Sequence, residues 1–145
     1  MASEGIVINR VESHSQPAYP ATVAWLGLIV LYGGSMGIGF VFQFHHLLDE
    51  FTLMENVAMP SMLSGNPRGQ SLDMASDLIE EVGLSGRGNH FPSQASGGER
   101  QRAAVARALI LSPSVVLADE PTGNLDSASS RRVEDLVLGL ANKRR

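Results

Sequence analysis

Residues 94–126 read QASGGERQRAAVARALILSPSVVLADEPTGNLD and hold the two patterns that decide the fold. The first, SGGE at 96–99, is a capping box and predicts a helix over 96–111. The second is the apolar run VVLA at 115–118 before the acidic pair 119–120, which is typical of a strand buried on both faces of a parallel sheet. A helix followed at once by such a strand predicts an α/β fold.

Each pattern includes a position at which α/β proteins bind charged ligands: the start of a helix in the first and the carboxyl end of a strand in the second. The start of a helix presents unpaired N–H groups and a partial positive charge, and glycines there let a phosphate approach the main chain. Carboxylates at the carboxyl end of a parallel strand stand where open α/β sheets bind ligands. Each pattern alone also has a simpler interpretation, because SxxE caps many helices and Pro121 is a common way to end a strand.

In this order and at this separation, SGGERQR and DEPTGNLD closely resemble motifs of the ATP-binding-cassette ATPase family. The resemblance implies an α/β fold, a partial P-loop NTPase with parallel core strands and a helical subdomain that carries the signature. It also implies ATP and Mg²⁺ as ligands, ATP hydrolysis as the activity, and a homodimer of ATPase subunits. Ala95 departs from the leucine that usually precedes the signature.

The resemblance assigns the chemistry to residues of the same stretch. Asp119 matches the Walker B aspartate that holds Mg²⁺, and Glu120 matches the general base that polarises the attacking water. Asp126 matches the D-loop, through which the two subunits communicate, and is expected to contribute to the nucleotide site. The signature residues, which contact the γ-phosphate of ATP held by the opposite subunit, are Ser96, Gly97 and Gly98.

Residues 38–43, IGFVFQ, form a second strand pattern that ends in a glutamine. By resemblance, Gln43 ends the Q-loop strand, contributes to catalysis by sensing Mg²⁺ and the attacking water, and couples the site to a membrane partner. On its own, the glutamine would more simply be a surface residue at a strand end. The pair His45-His46 is not expected to bind a metal, because adjacent residues on one element face different ways.

Residues 44–60, FHHLLDEFTLMENVAMP, carry the most specific resemblance. TLME at 52–55 is a second capping box, so a helix should begin near Leu53. The stretch resembles the ATPase subunits of lipoprotein-releasing transporters and their macrolide-exporter relatives. This resemblance implies transmembrane subunits as partners and a peripheral location on the cytoplasmic face of the plasma (inner) membrane.

Weaker patterns complete the expected secondary structure. Residues 6–8 suit a short strand, and 64–70 contain the Gly, Pro and Asn of a loop. An amphipathic helix is expected over 71–82, with Gly83 as its stop. Another is expected after Asp126, where apolar residues recur at helical spacing, namely Val133, Leu136, Val137 and Leu140.

Residues 13–48 contain no Asp, Glu, Lys or Arg, and within them 21–44 is long enough to suggest a membrane span. The glycine pair 33–34, the polar Gln43 and the lack of flanking basic residues argue against one. Glycines at 33, 37 and 39 also resemble the dinucleotide loop of short-chain dehydrogenases, but neither tyrosine has the lysine four residues on that this family needs. A divergent or mis-joined stretch is the preferred interpretation.

Composition limits the remaining possibilities. A length of 145 residues suits one domain with a moderate core, and a net charge of −4 offers no basic field for nucleic acid. The absence of cysteine excludes disulfides and thiolate metal sites. We divide the chain into a partial core with the Q-loop at 1–50, a helical subdomain at 51–112, and the Walker B strand, D-loop and following helix at 113–145.

Two motifs of the family have no match in the sequence. The only lysine is Lys143, so no phosphate-binding loop G-x-x-x-x-G-K-[ST] is present, and every histidine precedes Asp119, so none matches the switch histidine. The chain is therefore expected to be truncated at both ends, and by itself to bind ATP poorly and not to hydrolyse it. The alternatives are a non-hydrolytic interaction module that lends its signature to a partner's ATP, and a decayed fragment.

Overall fold

The computed structural model describes residues 7–9, 37–122 and 125–143. Within these ranges the strands are β1 (Val7–Asn9), β2 (Ile38–Phe42) and β3 (Val115–Asp119). The helices are α1 (Leu53–Leu63), α2 (Arg68–Glu81), α3 (Gly97–Leu109) and α4 (Ser127–Lys143), and a 3₁₀ turn covers Pro92–Gln94. Parallel strands joined through helices confirm the predicted α/β class.

Some sequence predictions fall outside the described residues. They concern residues 21–36 of the apolar stretch, Gly33 of the glycine pattern, and Asn124 of the D-loop. Within the described ranges, none of the helices combines the length and the apolar character that a membrane crossing requires.

The centre of the parallel sheet is β3, and the strand order is β1–β3–β2. Asp119, the last residue of β3, pairs with Phe42 on one side and with Asn9 on the other. Since all the strands run in the same direction, they end together at one carboxyl edge. The strands expected near residues 6–8, 38–43 and 115–118 are therefore confirmed, each within one residue of the expected bounds.

The two faces of β3 are buried to different degrees. Val116 and Ala118 join the apolar core, whereas Val115 and Leu117 are only partly buried. Successive side chains of a strand point to opposite faces, so the described core covers one face more fully than the other. The sequence predicted that β3 is buried on both faces, but within the described part of the chain only one face is fully buried.

Helices α1 and α2 form an antiparallel pair joined by a short loop. The capping box at Thr52 starts α1 as expected, and Gly83, with φ +70°, follows the end of α2. The loop ends at Pro67, so the prediction that it extends to residue 70 is wrong. Proline with φ −56° is preorganised to lead into a helix, and α2 begins three residues earlier than the sequence pattern indicated. A buried hydrogen bond of 2.9 Å from the Ser71 hydroxyl to the Ser61 hydroxyl joins the two helices.

Helix α3 is the element through which the sheet and the α1–α2 pair are connected. Most of its length is buried, and its small alanines allow close packing. It ends at Leu109, two residues before the expected end, because Ser112 adopts φ +50° ahead of Pro113 and the residue before a proline disfavours the helical conformation. Its alanines and Val105 share one core with Val41 of β2.

The direction of α3 relative to β2 decides where its start lies. Near its carboxyl end, the carbonyl of Ala108 lies against Gly39 at the beginning of β2. Nearer its start, Gln101 contacts the carbonyl of Phe42 at the end of β2. The helix is therefore antiparallel to the strand, and at about 1.5 Å per residue its first turn lies roughly 6 Å beyond the level of Gln101, past the carboxyl edge of the sheet.

Candidate functional site

The carboxyl edge of β2 and β3 brings together three of the predicted site residues. Because Phe42 pairs with Asp119, Gln43 and Glu120 are the first residues after the ends of two neighbouring parallel strands. Adjacent strands lie about 4.8 Å apart, so Gln43, Asp119 and Glu120 occupy a single small region. Asp119 is exposed, and Gln43 and Glu120 are half-buried.

Glu120 has an unusual backbone conformation. Its φ of +39° lies in the left-handed region, which a non-glycine residue rarely adopts. Such strain persists where the surrounding structure enforces it, and it is frequent at functional sites. The chain therefore makes a sharp turn immediately after Asp119. The side chain of Glu120 consequently does not follow the alternation of side chains between the two faces of β3.

The start of α3, where the signature is predicted, is closed by a capping box. The Ser96 hydroxyl accepts a hydrogen bond of 3.2 Å from the Glu99 N–H, and the Ser96 N–H donates one of 2.7 Å to the Glu99 carboxylate. The first intrahelical bond runs from Arg100 N–H to the Ser96 carbonyl, so the N–H groups of Gly97 and Gly98 precede the helical ladder. The predicted capping box is confirmed, and the N–H donors beyond it make the exposed turn suited to an anion.

Glu99 is held by more than the cap. Its hydrogen bond from the Ser96 backbone is the main reason that its pKa lies below the usual value, while partial burial acts in the opposite direction. The guanidinium of Arg87 lies 3.3 Å from its second oxygen. The first turn of α3 is therefore fixed by an ionised Glu99 at neutral pH.

The D-loop lies next to the signature turn of the same chain. A Cβ on Gly97 would be 3.9 Å from the Leu125 side chain, which is ordinary van der Waals contact. Asp126 accepts a hydrogen bond of 3.0 Å from the Ala128 N–H, and its carbonyl accepts one of 2.9 Å from Ser130. Asp126 thus caps α4, a structural role that the sequence reasoning had not assigned to it.

Two residues of α3 that the sequence reasoning missed hold the turn after β2, which we define as residues 43–46. Gln101 Nε2 donates a hydrogen bond of 2.9 Å to the Phe42 carbonyl. Arg107 donates 2.8 Å and 2.7 Å bonds to the carbonyls of His45 and His46. For Arg107 the available signal was its position among apolar residues, where a polar side chain requires a buried partner. Gln101 lies between two arginines in the sequence and gave no such signal.

The imidazoles of this turn are kept neutral by their surroundings. Burial is the main cause that lowers the pKa of His45 to about 4, and the charges of Arg100, His46 and Arg107 act in the same direction. Burial and then Arg107 lower the pKa of His46 as well. Within the described residues, no three His, Asp or Glu side chains are grouped as a metal cage.

Asn56 organises the chain just beyond the turn. The side chain is 1% exposed, and its Oδ1 accepts a 2.8 Å hydrogen bond from the Leu48 N–H. Its Nδ2 lies 3.0 Å from each of three acceptors, the carbonyls of Leu48, Phe51 and Thr52. One buried amide therefore joins the end of this loop to the start of α1, a contact that the sequence reasoning also missed.

The chemistry of this edge suits a nucleotide with a divalent cation. Exposed carboxylate and amide oxygens are the hard ligands that Mg²⁺ prefers. The exposed N-terminal turn of α3 offers donors for phosphate oxygens. Both groups lie at the same end of the molecule, because α3 is antiparallel to β2.

Comparison with known proteins agrees with this arrangement. The profile of the family described as "ABC transporter" matches residues 34–123. The lipoprotein-releasing system ATP-binding protein LolD of Syntrophus aciditrophicus is 56% identical over 103 residues, which cover 71% of this chain and 46% of that protein. The LolD protein of Shewanella denitrificans is 57% identical over 106 residues, with coverage of 73% and 46%.

A solved structure supports the fold independently of these names. A dimer of the ATP-binding cassette MJ0796 in a post-hydrolysis state, bound to ADP and Pi, has a TM-score of 0.64 at 35% identity. The match covers 73% of this chain and 47% of that chain. The chain spans a little under half the length of the relatives that it matches. Because the family profile matches more than half of the sequence, and the parallel sheet and signature helix agree with it, this chain belongs to the ABC transporter family.

Proposed function

We propose that this chain forms part of the ATP-hydrolysing subunit of a transporter of the lipoprotein-releasing type. The observation that carries the proposal is the pairing of Phe42 with Asp119. This register makes Gln43 and Glu120 neighbours at a single sheet edge, where α/β proteins bind their ligands. The names of the similar LolD proteins support the transporter type.

Asp119 is the residue that would hold Mg²⁺, with Gln43 beside it. The carboxylate of Asp119 is exposed at the end of β3, so a hydrated cation can approach it. When bound, Mg²⁺ supplies charge neutralisation on the phosphate oxygens of ATP. The side-chain amide of Gln43 has both an acceptor and a donor, so it can contact the cation and orient a water molecule.

Glu120 is the proposed general base. Its carboxylate orients a water molecule and accepts the proton that this water loses when its oxygen attacks the γ-phosphorus of ATP. The bond that breaks joins the γ-phosphorus to the oxygen bridging it to the β-phosphate, and ADP leaves. The strained backbone at Glu120 supports this role, because it turns the side chain away from the direction of the strand.

The signature turn is proposed to act on ATP held by a second copy of the subunit. Ser96, Gly97 and Gly98 form the start of α3, where the first two are exposed and where N–H donors and the helix dipole favour a phosphate. Asp126 lies on the adjacent D-loop and is proposed to contribute to the same shared site. The dimeric state of the similar cassette supports a homodimer.

Transmembrane subunits are the proposed partners of this dimer, at the cytoplasmic face of the plasma (inner) membrane. Three large apolar side chains that are close together in the sequence, Phe44, Leu48 and Phe51, are exposed within the turn after β2 and just beyond it. Exposed apolar groups of this kind are typical of contact surfaces. We interpret residues 51–112 as the helical subdomain that begins at this surface and carries the signature, and no nucleic acid is proposed as a partner.

The test is ATP turnover by the protein purified from its own cells with the subunits that accompany it. We expect Glu120→Gln to lower kcat by roughly 10²-fold or more, because a general base contributes that much, while ATP binding is kept. The matched control is Glu80→Gln, since Glu80 is an exposed glutamate on α2 far along the chain from the sheet edge.

Equal turnover by Glu120→Gln and the unsubstituted protein would refute the assigned base. Loss of turnover in the Glu80→Gln control would show that any charge change disturbs the protein, and the assignment would then have no support. A protein that binds no ATP in either form would exclude the ATPase function.

A further inference from the structure

Residues 43–46 are attached to α3 on both sides of Gln43. The Phe42 carbonyl, immediately before Gln43, accepts the 2.9 Å hydrogen bond from Gln101. The carbonyls of His45 and His46 accept the bonds of 2.8 Å and 2.7 Å from the two terminal nitrogens of Arg107. The backbone on either side of Gln43 is therefore fixed by side chains of a single helix.

Arg107 is an unusual residue to find in this position. Only 5% of it is exposed, and burial lowers its pKa to about 10, so the guanidinium still carries its charge at neutral pH. Its Nε is buried with no hydrogen-bond partner in the described part of the chain. An apolar residue would fill this space without the cost of burying a charge. The retained charge is accounted for by its two short bonds to successive carbonyls, which a planar guanidinium fork is shaped to make.

The turn that Arg107 holds is strained. His46 has φ +43°, the left-handed conformation that a residue with a side chain rarely adopts. Such a conformation persists only where neighbouring groups enforce it. The His46 ring also contacts Phe42 and Phe44, at centroid distances of 5.7 Å and 6.3 Å. Without the two Arg107 bonds, the backbone beyond Gln43 would relax.

We propose that Arg107, together with Gln101, is a positioning residue that fixes Gln43 against Asp119 and Glu120. The proposal rests on the proposed ATPase function and adds to it a residue remote from the sheet edge. Arg107 lies six residues beyond Gln101 on α3, about 9 Å along the helix axis, and its hydrogen bonds are to the carbonyls of His45 and His46. Because both anchors belong to the helix that begins at the signature, Gln43 keeps a constant position relative to that turn.

A double-mutant cycle of Arg107→Met and Gln43→Ala tests whether Arg107 acts through Gln43. Methionine keeps much of the buried volume and removes both donors. In the protein purified from its own cells with its accompanying subunits, we expect Arg107→Met to lower kcat roughly tenfold or more, with KM for ATP changed less than about threefold. The double variant should be no slower than Gln43→Ala alone. Losses that multiply in the double variant would overturn the proposal.

Amide hydrogen exchange of residues 43–48 gives a readout that does not depend on ATP hydrolysis. Arg107→Met should exchange faster in this segment while α1 and α2 keep their protection. The matched control is Arg68→Met. Arg68 is an exposed arginine whose guanidinium lies 3.5 Å from the Glu55 carboxylate. Unchanged exchange in 43–48 would overturn the proposal. A protein without ATPase activity would refute the proposed function, and exchange would still decide whether Arg107 holds the turn.

Arg107→Lys covers the case in which the methionine variant does not fold. Lysine keeps the charge but cannot reach two carbonyls with a planar fork, so partial loss of protection in 43–48 and partial loss of kcat are expected. If both variants unfold, Arg107 supports the whole fold and has no specific role in positioning Gln43, and the proposal is overturned.

Discussion

Gly39 of β2 lies so close to the carbonyl of Ala108 in α3 that a Cβ on the glycine would be 2.5 Å from that oxygen. The same Cβ would be 3.0 Å from Pro113 Cγ. This contact sets the distance between helix and sheet at the amino end of β2, as the Gln101 bond does at the other end. The absence of a side chain at residue 39 therefore helps to decide where the signature turn lies.

Gly39→Ala should destabilise the protein by about 1–3 kcal/mol, because the added methyl group meets backbone that cannot rotate away. Urea denaturation measures the change. Gly69→Ala is the control, since its Cβ meets nothing within 4 Å and alanine suits the first turn of α2, so it should stabilise by roughly 0.5–1 kcal/mol. Changes of the same sign at both positions would contradict this account of the packing.

Asn56→Ala should cost about 2–4 kcal/mol, a larger loss than most polar substitutions cause. The change leaves the Leu48 N–H and the Phe51 carbonyl without their side-chain partner, and each such group costs about 1–3 kcal/mol. Asn66→Ala is the control, because Asn66 is only partly buried and donates one bond of 3.0 Å to Ser61. Equal losses in urea denaturation would show that the amide at residue 56 is not the main support of the loop.

The helices and strands that the sequence predicts correctly are those specified by residues close together in the chain. Each capping box lies within four residues, so Ser96 and Thr52 marked the starts of α3 and α1 correctly. The acidic pair after β3 is equally local, and the sheet register then brings it beside Gln43. The start of α2 was missed by three residues, because the glycine, proline and asparagine content of residues 64–70 suggested a longer loop.

The contacts that hold the turn after β2 could not be predicted in the same way. Gln101 and Phe42 are 59 residues apart, and Arg107 and His46 are 61 apart. No local pattern specifies which carbonyl such a side chain will reach, because the pairing depends on the antiparallel packing of α3 on β2. The sequence shows that an arginine lies among apolar residues, but the carbonyls to which it donates are evident only from the fold.

His45 should make stability fall as the pH decreases from about 6.5 toward 4. Its pKa is lowered to about 4 in the folded protein, mainly by burial, so between these values the unfolded chain binds a proton that the folded chain does not. Protonation would also remove the Nδ1 acceptor that lies 3.4 Å from the Leu47 N–H. We expect His45→Gln to flatten the pH dependence of the free energy of unfolding between pH 6.5 and 5.

That window separates the histidine from the capping glutamates. The pKa values of Glu55 and Glu99 are lowered, chiefly by hydrogen bonds from the backbone of Thr52 and Ser96. Their contribution is present above the unfolded value of 4.5 and is lost only below it. Urea denaturation at several pH values above 5 therefore measures the histidines of the turn without the glutamates, and an unchanged slope in His45→Gln would refute the prediction.

The two capping boxes offer a test that separates stability from function at the signature. Thr52 and Ser96 each accept a 3.2 Å hydrogen bond from the N–H of a glutamate three residues on. Each glutamate also meets an arginine, Arg68 for Glu55 and Arg87 for Glu99. Thr52→Ala and Ser96→Ala should therefore both cost about 1 kcal/mol in the free energy of unfolding.

Only Ser96→Ala should lower ATP turnover, because only α3 begins at the proposed nucleotide site, where a serine hydroxyl can donate to a phosphate oxygen. Steady-state ATPase rates of the two variants, measured well below the temperature at which either unfolds, decide the matter. If both variants lose turnover equally, the serine acts as a helix cap alone. If Ser96→Ala keeps full turnover at a reduced stability, the signature turn does not use this hydroxyl, and the donors must be the N–H groups of Gly97 and Gly98.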